Sequence, residues 1–524
     1  MVFLVDERYK NLIQKEFDPE EAKEWFSKKQ KKFLHNIDTF YYSVKLLEDF
    51  TLKGNEKCVR RFRTYLKQLE GLEFGSCKSL DIPGTEGLVG YNFGYSKFYK
   101  YQISYPDFFD IFVAPVVPPG ADGGASVTSE FIVQIRSYLL WLYGPQTAFR
   151  QTFGAVQAIC GHFGLTVSGV KENRIDYCWH SNYLESPERF FQIDRFNDMQ
   201  VSHFRGVSYH YTFKSGGEYE NDYVALGKRS DKVFVRIYLK SKEVVEMGYK
   251  PWFLKLWYDN QMISKYDFYC FEYAYLEHNW KKLDVARLKF YSEYGADPHY
   301  KLLCSRIVGN EVLKHYDDIA ALADLLTPRV TSVMNVEFQT MRRGTKSYVL
   351  VPFREYADPL TGRVDMYFDN WEVITEYLTH SVLRLTDPAK DPKGSEVPKG
   401  KRDYCPFWKL LRAASCPYMK RNGKEIRLIR DYSRKLNSEL VKRKMLNNVV
   451  NYNFYRKGIN DDDPGQDCMD ALLRLNDNDL RNMSAYKLKR KAVLNSVDFS
   501  ESMKEEAADG CFAIFNQDTG EVFE

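Results

Sequence analysis

The chain has 524 residues, 44% hydrophobic and 28% charged, with a formal net charge of +4 and a mean hydropathy of −0.48. This length exceeds one ordinary core and points to about two to four domains. With no long apolar run, a membrane-spanning class is excluded, and so small a net charge identifies no partner by itself.

Ten cysteines are scattered with no C-x-x-C pair, which argues against a disulfide framework and a zinc ribbon and fits a reducing compartment. The start "MVFLVDERYKNLIQ" has no basic segment ahead of its apolar patch. No signal peptide is expected, and the cytoplasm is the expected location. Residues 5–35 are predicted helical, "DPEEAKEWFSKKQKKF" placing acids before lysines as the helix dipole prefers. "NIDTFYYSVKLL" is predicted as a strand and "CVRRFRTYLKQL" as a helix. "KFYKYQISY" and "FFDIFVAPV" return to strand, and "PVVPPGADGGASV" is a loop. "SEFIVQIRSYLLWLYG" is read as strand and "PQTAFRQTFGAVQAICGHFG" as an amphipathic helix. Strands are predicted at 173–180, 206–214, 232–240 and 267–276. After Trp280 the pattern is largely helical, in "LKHYDDIAALADLLTP" and "NWEVITEYLTHSVLRL". "TDPAKDPKGSEVPKGKRD" has linker composition. Tyr418 to Gly458 holds twelve Lys/Arg against three Asp/Glu, with a basic helix expected over 426–446. Mixed strands and helices make the fold class α+β, with a mostly antiparallel central sheet.

Alternation along a strand sorts side chains by face. In "VFVRIYLK", Val233, Val235, Ile237 and Leu239 form an apolar face, while Phe234, Arg236, Tyr238 and Lys240 form the other. Tyr238 is thus expected opposite the core with a cation on each side, which would bind phosphate and favour a phenolate. In "NRIDYCWH", Arg174, Asp176, Cys178 and His180 share a face; in "SYHYTFK", Ser208, His210, Thr212 and Lys214 do. Read as a strand, "FYCFEYAYL" projects Glu272 among apolar residues, where a carboxylate needs a partner or a metal. One sheet would let Asp176, His180, His210, Glu272 and Tyr238 converge. Carboxylates with histidine suit Mg²⁺ or Mn²⁺, which would polarise a phosphate under attack by tyrosine. At this level ordinary strand packing is the better explanation of the same residues.

"RSDKVFVRIYLKSKE" resembles the active-site segment of the replication initiation factor family, the rolling-circle plasmid initiators and related relaxases of integrative conjugative elements. Arg229, Ser230, Asp231, Arg236, Ile237, Tyr238, Lys240 and Glu243 fill that pattern. "NRIDYCWH" resembles the family's R-I-D strand, "FEYAYL" its later strand with a central glutamate, "NIDTFYYSVKL" its opening strand and "DYCPFWKLLRAA" its closing helix. The resemblance spans 36–417 as spaced blocks. His180 stands where the family often has an acid, and Cys270 where it usually has an arginine.

The resemblance implies metal-dependent DNA nicking and strand transfer through a 5′-phosphotyrosyl intermediate, leaving a free 3′-OH. Tyr238 would be the nucleophile and Arg236 and Lys240 would hold the phosphate. Asp176, Glu272 and His180 would bind Mg²⁺ or Mn²⁺. DNA contacts are expected from Arg174, Lys214 and Arg229, and from Arg427, Arg430, Arg434, Lys435, Lys442, Arg443 and Lys444 on the basic helix. Expected partners are single-stranded and duplex DNA at an origin or nick site, a host helicase and a second copy of the chain, with no membrane. Expected domains are an N-terminal arm (1–35), a nicking domain (36–300), its completion (301–417) and a basic, polar tail (418–524). No H-x-H pair exists for a histidine-hydrophobe-histidine nuclease, and no tyrosine-recombinase set can be assembled. Two rivals stay open: a DNA- or RNA-binding protein that stacks bases on a tyrosine-rich sheet, and a homologue that keeps the fold without catalysis.

Overall fold

The computed structural model describes residues 30–341, apart from 74, 120–127, 203, 205, 214–218, 249, 296 and 310–315. It also describes 349–350, 360–418 apart from 389–395, 428–432, 448–449, 452, 464–473, 475–478, 481 and 511–514. The chain divides into two compact units. One is Met1–Arg342 with Arg354–Gly423, the other Arg343–Phe353 with Lys424–Glu524.

In chain order the first unit runs β1 (Phe33–Leu46), α1 (Lys57–Lys67), β2 (Cys77–Ser79), β3 (Val89–Tyr91), β4 (Tyr101–Tyr105), β5 (Phe109–Val113) and β6 (Phe131–Ile135). Next come α2 (Ser137–Tyr143), α3 (Pro145–Phe163), β7 (Val167–Ser181), α4 (Pro187–Phe190), α5 (Ile193–Met199), β8 (Gln200–Ser202), β9 (Val207–Phe213), β10 (Tyr219–Leu226) and β11 (Val233–Leu239). Five helices follow: α6 (Lys240–Met247), α7 (Trp252–Asp259), α8 (Lys265–Leu276), α9 (Lys282–Tyr294) and α10 (Pro298–Val308). Then come α11 (Tyr316–Leu326), β12 (Met334–Met341) and the helices Gly362–Asp369, Trp371–Tyr377 and Pro406–Ala413.

Eleven strands form one sheet in the order β2-β3-β4-β5-β6-β1-β7-β12-β11-β10-β9. Every pairing in it is antiparallel. The α+β class is as the sequence predicts. Phe40, Tyr42 and Val44 of β1, with Val133 and Ile135 of β6 and Phe109 and Ile111 of β5, are buried on one face. They meet α3 through Phe149, whose ring stands edge-on 5.0 Å from that of Tyr42. A proline at its first turn starts α3, and Gly164 in the left-handed region ends it. A second core gathers Trp252, Phe253 and Trp257 of α7 with Tyr266, Cys270 and Phe271 of α8 and Trp141 of α2. It covers the opposite face of the sheet at Cys178.

Two sequence expectations fail here. Residues 267–276, expected as a strand, are helix α8. Aromatics at alternate positions imitate a strand, but Ser264 and Asp267 make a capping box that starts a helix. The "SEFIVQIRSYLLWLYG" segment is strand only to Ile135 and then α2. No described helix is long and apolar enough to cross a membrane.

In the second unit, strands Val349–Leu350, Leu428–Tyr432 and Cys511–Ile514 make a small antiparallel sheet, and Pro464–Leu473 is helical. The basic helix expected over 426–446 is therefore strand at 428–432, with Arg430 opposite Ala513. Pairing partners far along the chain override local charge pattern there. Lys214, Arg427, Arg434, Lys435, Lys442, Arg443 and Lys444 lie outside the described residues, as does most of the N-terminal helix expected over 5–35; its last residues are not helical, β1 already beginning at Phe33.

Candidate functional site

Register on β7, β12 and β11 builds a polar stripe on one sheet face. His180 stands opposite Asn335, which stands opposite Tyr238. Cys178 stands opposite Glu337, and Glu337 opposite Arg236. Asp176 pairs with Gln339, and Gln339 with Phe234. Directly opposed residues share a face, so side chains far apart in sequence converge. Asn335, Glu337 and Gln339 come from "MNVEFQTM", whose apolar and polar residues alternate from Met334 to Gln339. That alternation is the sequence signal by which β12 is recognisable, within a region whose overall pattern is helical.

Tyr238 lies at the centre of the stripe. Its Oη donates to Glu337 Oε2 at 3.2 Å and accepts from Asn335 Nδ2 at 3.0 Å and Lys240 Nζ at 3.3 Å. Asn335 Nδ2 also donates to Glu337 Oε2 at 3.3 Å, and Arg236 is ion-paired to Glu337 Oε1. The Arg236 guanidinium lies 5.5 Å from the Tyr238 ring centroid. Tyr238 is 8% exposed, so the expectation that it points away from the core is corrected: α6 and α7 cover this face at Lys240 and Phe253. Burial holds its phenol well above the ordinary value, against the pull of Lys240. The resting hydroxyl is neutral and hydrogen-bonded to a carboxylate.

Lys240 is the first residue of α6 rather than a strand residue, and it is completely buried. Its Nζ lies 2.7 Å from Glu243 and 3.5 Å from Asp38. Burial alone would lower its pKa; Asp38, Tyr238 and Glu243 outweigh that and hold the ammonium well above its ordinary value. Lys240 is thus enclosed by carboxylates beside the phenol, not presented to an external phosphate. Asp38 reaches it because β1 is irregular between Ile37 and Thr39. Plain alternation would put Asp38 with Phe40 and Tyr42 on the apolar face; an extra residue shifts it to the polar one.

Of the other expected residues, Asp176 is buried and held by Arg174 Nε at 2.8 Å. Burial raises its carboxyl to about 6, an effect that Arg174 only partly offsets. Arg174 is part-exposed at the open end of the stripe. Arg229 is exposed, its carbonyl accepting from Gln339 Nε2 at 3.0 Å. His210 stands opposite Tyr223 on β10. Glu272 sits on α8, and burial pushes its carboxyl up to about 7. The stripe's own central glutamate is Glu337.

The expected metal set does not assemble. Asp176 and His180 are four residues apart on one strand, about 13 Å, too far to share an ion, and Glu272 is on a helix. Asp38, Cys178 and His180 do bring one potential ligand atom each within 4.8 Å of one another. This mixed oxygen, sulfur and nitrogen set suits zinc chemistry rather than Mg²⁺ or Mn²⁺. Its present hydrogen bonds and ion pairs compete with a divalent ion, while His180 Nε2 is buried without a hydrogen-bond partner. The Lys240 ammonium is already on Asp38, with Lys250 at 3.8 Å. Trp257 Nε1 donates to His180 Nδ1 at 3.3 Å; indole only donates, so the neutral ring carries its proton on Nε2. The His180 ring is stacked 4.8 Å from Trp141. The Cys178 thiol, raised well above its ordinary value by burial, donates to the Asn36 carbonyl.

Among solved structures, the chain is similar to a rolling circle replication initiator protein from Geobacillus stearothermophilus. The match has 11% sequence identity and a TM-score of 0.33, and it covers 75% of this chain and 100% of that one. No family model matches the chain, and no curated protein does.

Proposed function

We propose that this protein is a DNA-nicking and strand-transfer enzyme in which Tyr238 attacks a backbone phosphate. The observation that carries this is the Tyr238 Oη itself, bonded at once to Glu337, Asn335 and Lys240 beside the part-exposed Arg236. Glu337 is placed to take the phenolic proton as the Oη–P bond forms and the P–O3′ bond breaks. The leaving 3′ oxygen takes up a proton to become the free 3′-OH, and the 5′ phosphate stays on Tyr238. Lys240 stabilises negative charge on Oη, which matters most when a 3′-OH attacks the adduct and phenolate leaves. Arg236 turns from Glu337 to the phosphate as the substrate enters. No step is assigned to a metal, because the residues expected to bind one do not come together.

One observation favours a second reading, nucleic-acid binding without cleavage: Tyr238 is only 8% exposed, so attack requires the stripe to open. The test separates the two. The protein is incubated with supercoiled DNA carrying its origin, and nicked circles and protein-linked 5′ ends are measured. Wild type should form the adduct, and Tyr238→Phe should abolish it while keeping DNA affinity. Binding with no nick in wild type would sink the enzyme reading. An adduct in Tyr238→Phe would move the nucleophile, with Tyr258 and Tyr266 the next tyrosines to replace.

A further inference from the structure

The polar face of the sheet continues past the stripe, from β7 onto β1, β6, β5, β4 and β3, and it changes character there. Strand register puts Tyr41 between Arg174 of β7 and Gln134 of β6. Gln134 stands opposite Asp110 of β5, and Phe112 opposite Gln102 of β4. The reverse face of these strands is buried, whereas Tyr41, Gln134 and Gln102 keep partial exposure. Two features repeat across it. The first is a tyrosine ring with part of its surface exposed. The Arg174 guanidinium lies 5.5 Å from the Tyr41 ring centroid. Tyr95, which is 63% exposed, packs its ring 5.4 Å from that of Phe112. The second is an arginine seated on a buried carboxylate through Nε and Nη2. Arg174 does this on Asp176, and Arg136 does it on Asp110 at 2.8 and 2.9 Å. In both pairs the carboxylate is buried while the arginine side chain keeps 28% and 40% of its exposure. The carboxylate therefore fixes the guanidinium without covering it, and the fork retains donors for a second anion.

A ring face stacks on any unpaired base, and fixed guanidinium groups take successive phosphates. Duplex DNA hides its bases from such a surface. From β11 to β5 the face crosses five strand steps, about 24 Å at ordinary strand spacing. We propose that this half of the sheet is a track for single-stranded DNA. Bases stack on Tyr41 and Tyr95, phosphates lie on Arg174 and Arg136, and the strand is delivered to Tyr238. The delivery rests on the nicking reading above; the binding does not.

The test is fluorescence anisotropy with a labelled thymidine oligonucleotide, run on the full chain as wild type, Tyr41→Ala, Tyr95→Ala, the double variant and Arg136→Gln. Each ring loss should weaken binding about fivefold or more, and the double variant by roughly the product. Arg136→Gln should make the salt dependence shallower. Thermal midpoints establish that each variant folds, and Tyr95, standing outside the core, supplies the variant least able to disturb folding. Double-variant binding within about twofold of wild type, or equal loss on a duplex of the same length, would overturn the track; so would wild-type failure to bind the oligonucleotide. Tyr238→Phe in the same assay keeps the two proposals apart. If it binds normally and wild type never nicks, the enzyme reading falls and the track stands. If wild type nicks and the ring variants bind normally, only the track falls.

Discussion

Glu337 and Tyr238 meet diagonally across adjacent strands, one pair removed in register, the phenolic Oη donating to the carboxylate Oε2 at 3.2 Å. Glu337→Gln keeps an oxygen for this contact and removes the base. Nicking should slow about 100-fold or more, with affinity for DNA little altered. Single-turnover rates at saturating DNA measure this directly. A rate within about threefold of wild type would take Glu337 out of the proton transfer.

Lys240 should matter as much to the fold as to the chemistry. It is buried between Asp38 and Glu243, and Lys240→Ala leaves the buried Asp38 with Lys250, at 3.8 Å, as its remaining described cation and takes the ammonium from the part-exposed Glu243. Removing one partner of a buried ion pair costs about 3–5 kcal/mol, a loss urea unfolding will register. Lys240→Met combined with Asp38→Asn removes both charges and should recover part of it. An unfolding midpoint unchanged in Lys240→Ala would mean that the pair contributes no net stability.

The same ammonium governs the metal question. With Lys240 on Asp38 and Trp257 on His180, cobalt(II) titration of the wild-type protein should produce no thiolate-to-cobalt charge-transfer band. Cys178 is the one thiol in that cluster, so a band lost in Cys178→Ser would show that the ion displaces the Lys240 ammonium from Asp38.

Much of this arrangement was legible in the sequence where a rule of period two applied without interruption. Alternation in "NRIDYCWH" and "VFVRIYLK" correctly put Asp176 with His180 and Arg236 with Tyr238 on single faces. Applied to Asp38 it would give the wrong face, because one extra residue in β1 reverses the face and no local pattern announces it. It failed for Lys240, where the strand had already become a helix. Glu272 misled for a different reason: "YDFYCFEYAYL" has the composition of a strand, and only the Ser264 and Asp267 cap distinguishes it as a helix. The convergence of Glu337 on Tyr238, 99 residues apart, depends on strand order in the sheet, which alternation within one strand does not encode.

Glu272 offers a prediction with a definite sign. Burial raises its carboxyl to about 7 from an ordinary 4.5. The folded state therefore binds this proton more tightly than the unfolded state does. The associated stability is fully present below about pH 4.5 and is lost as pH rises through about 7. Glu272→Gln stays neutral throughout, so its stability relative to wild type should improve from pH 5 to about pH 8. Because Glu272 is only partly buried, solvent screening will keep the gain modest. Urea midpoints at the two pH values measure it. As a helix residue outside the stripe, it should also leave nicking unchanged. A loss of nicking in Glu272→Gln with no pH-dependent gain in stability would restore Glu272 to the reaction, and the carboxylate would then have to reach Tyr238 from α8.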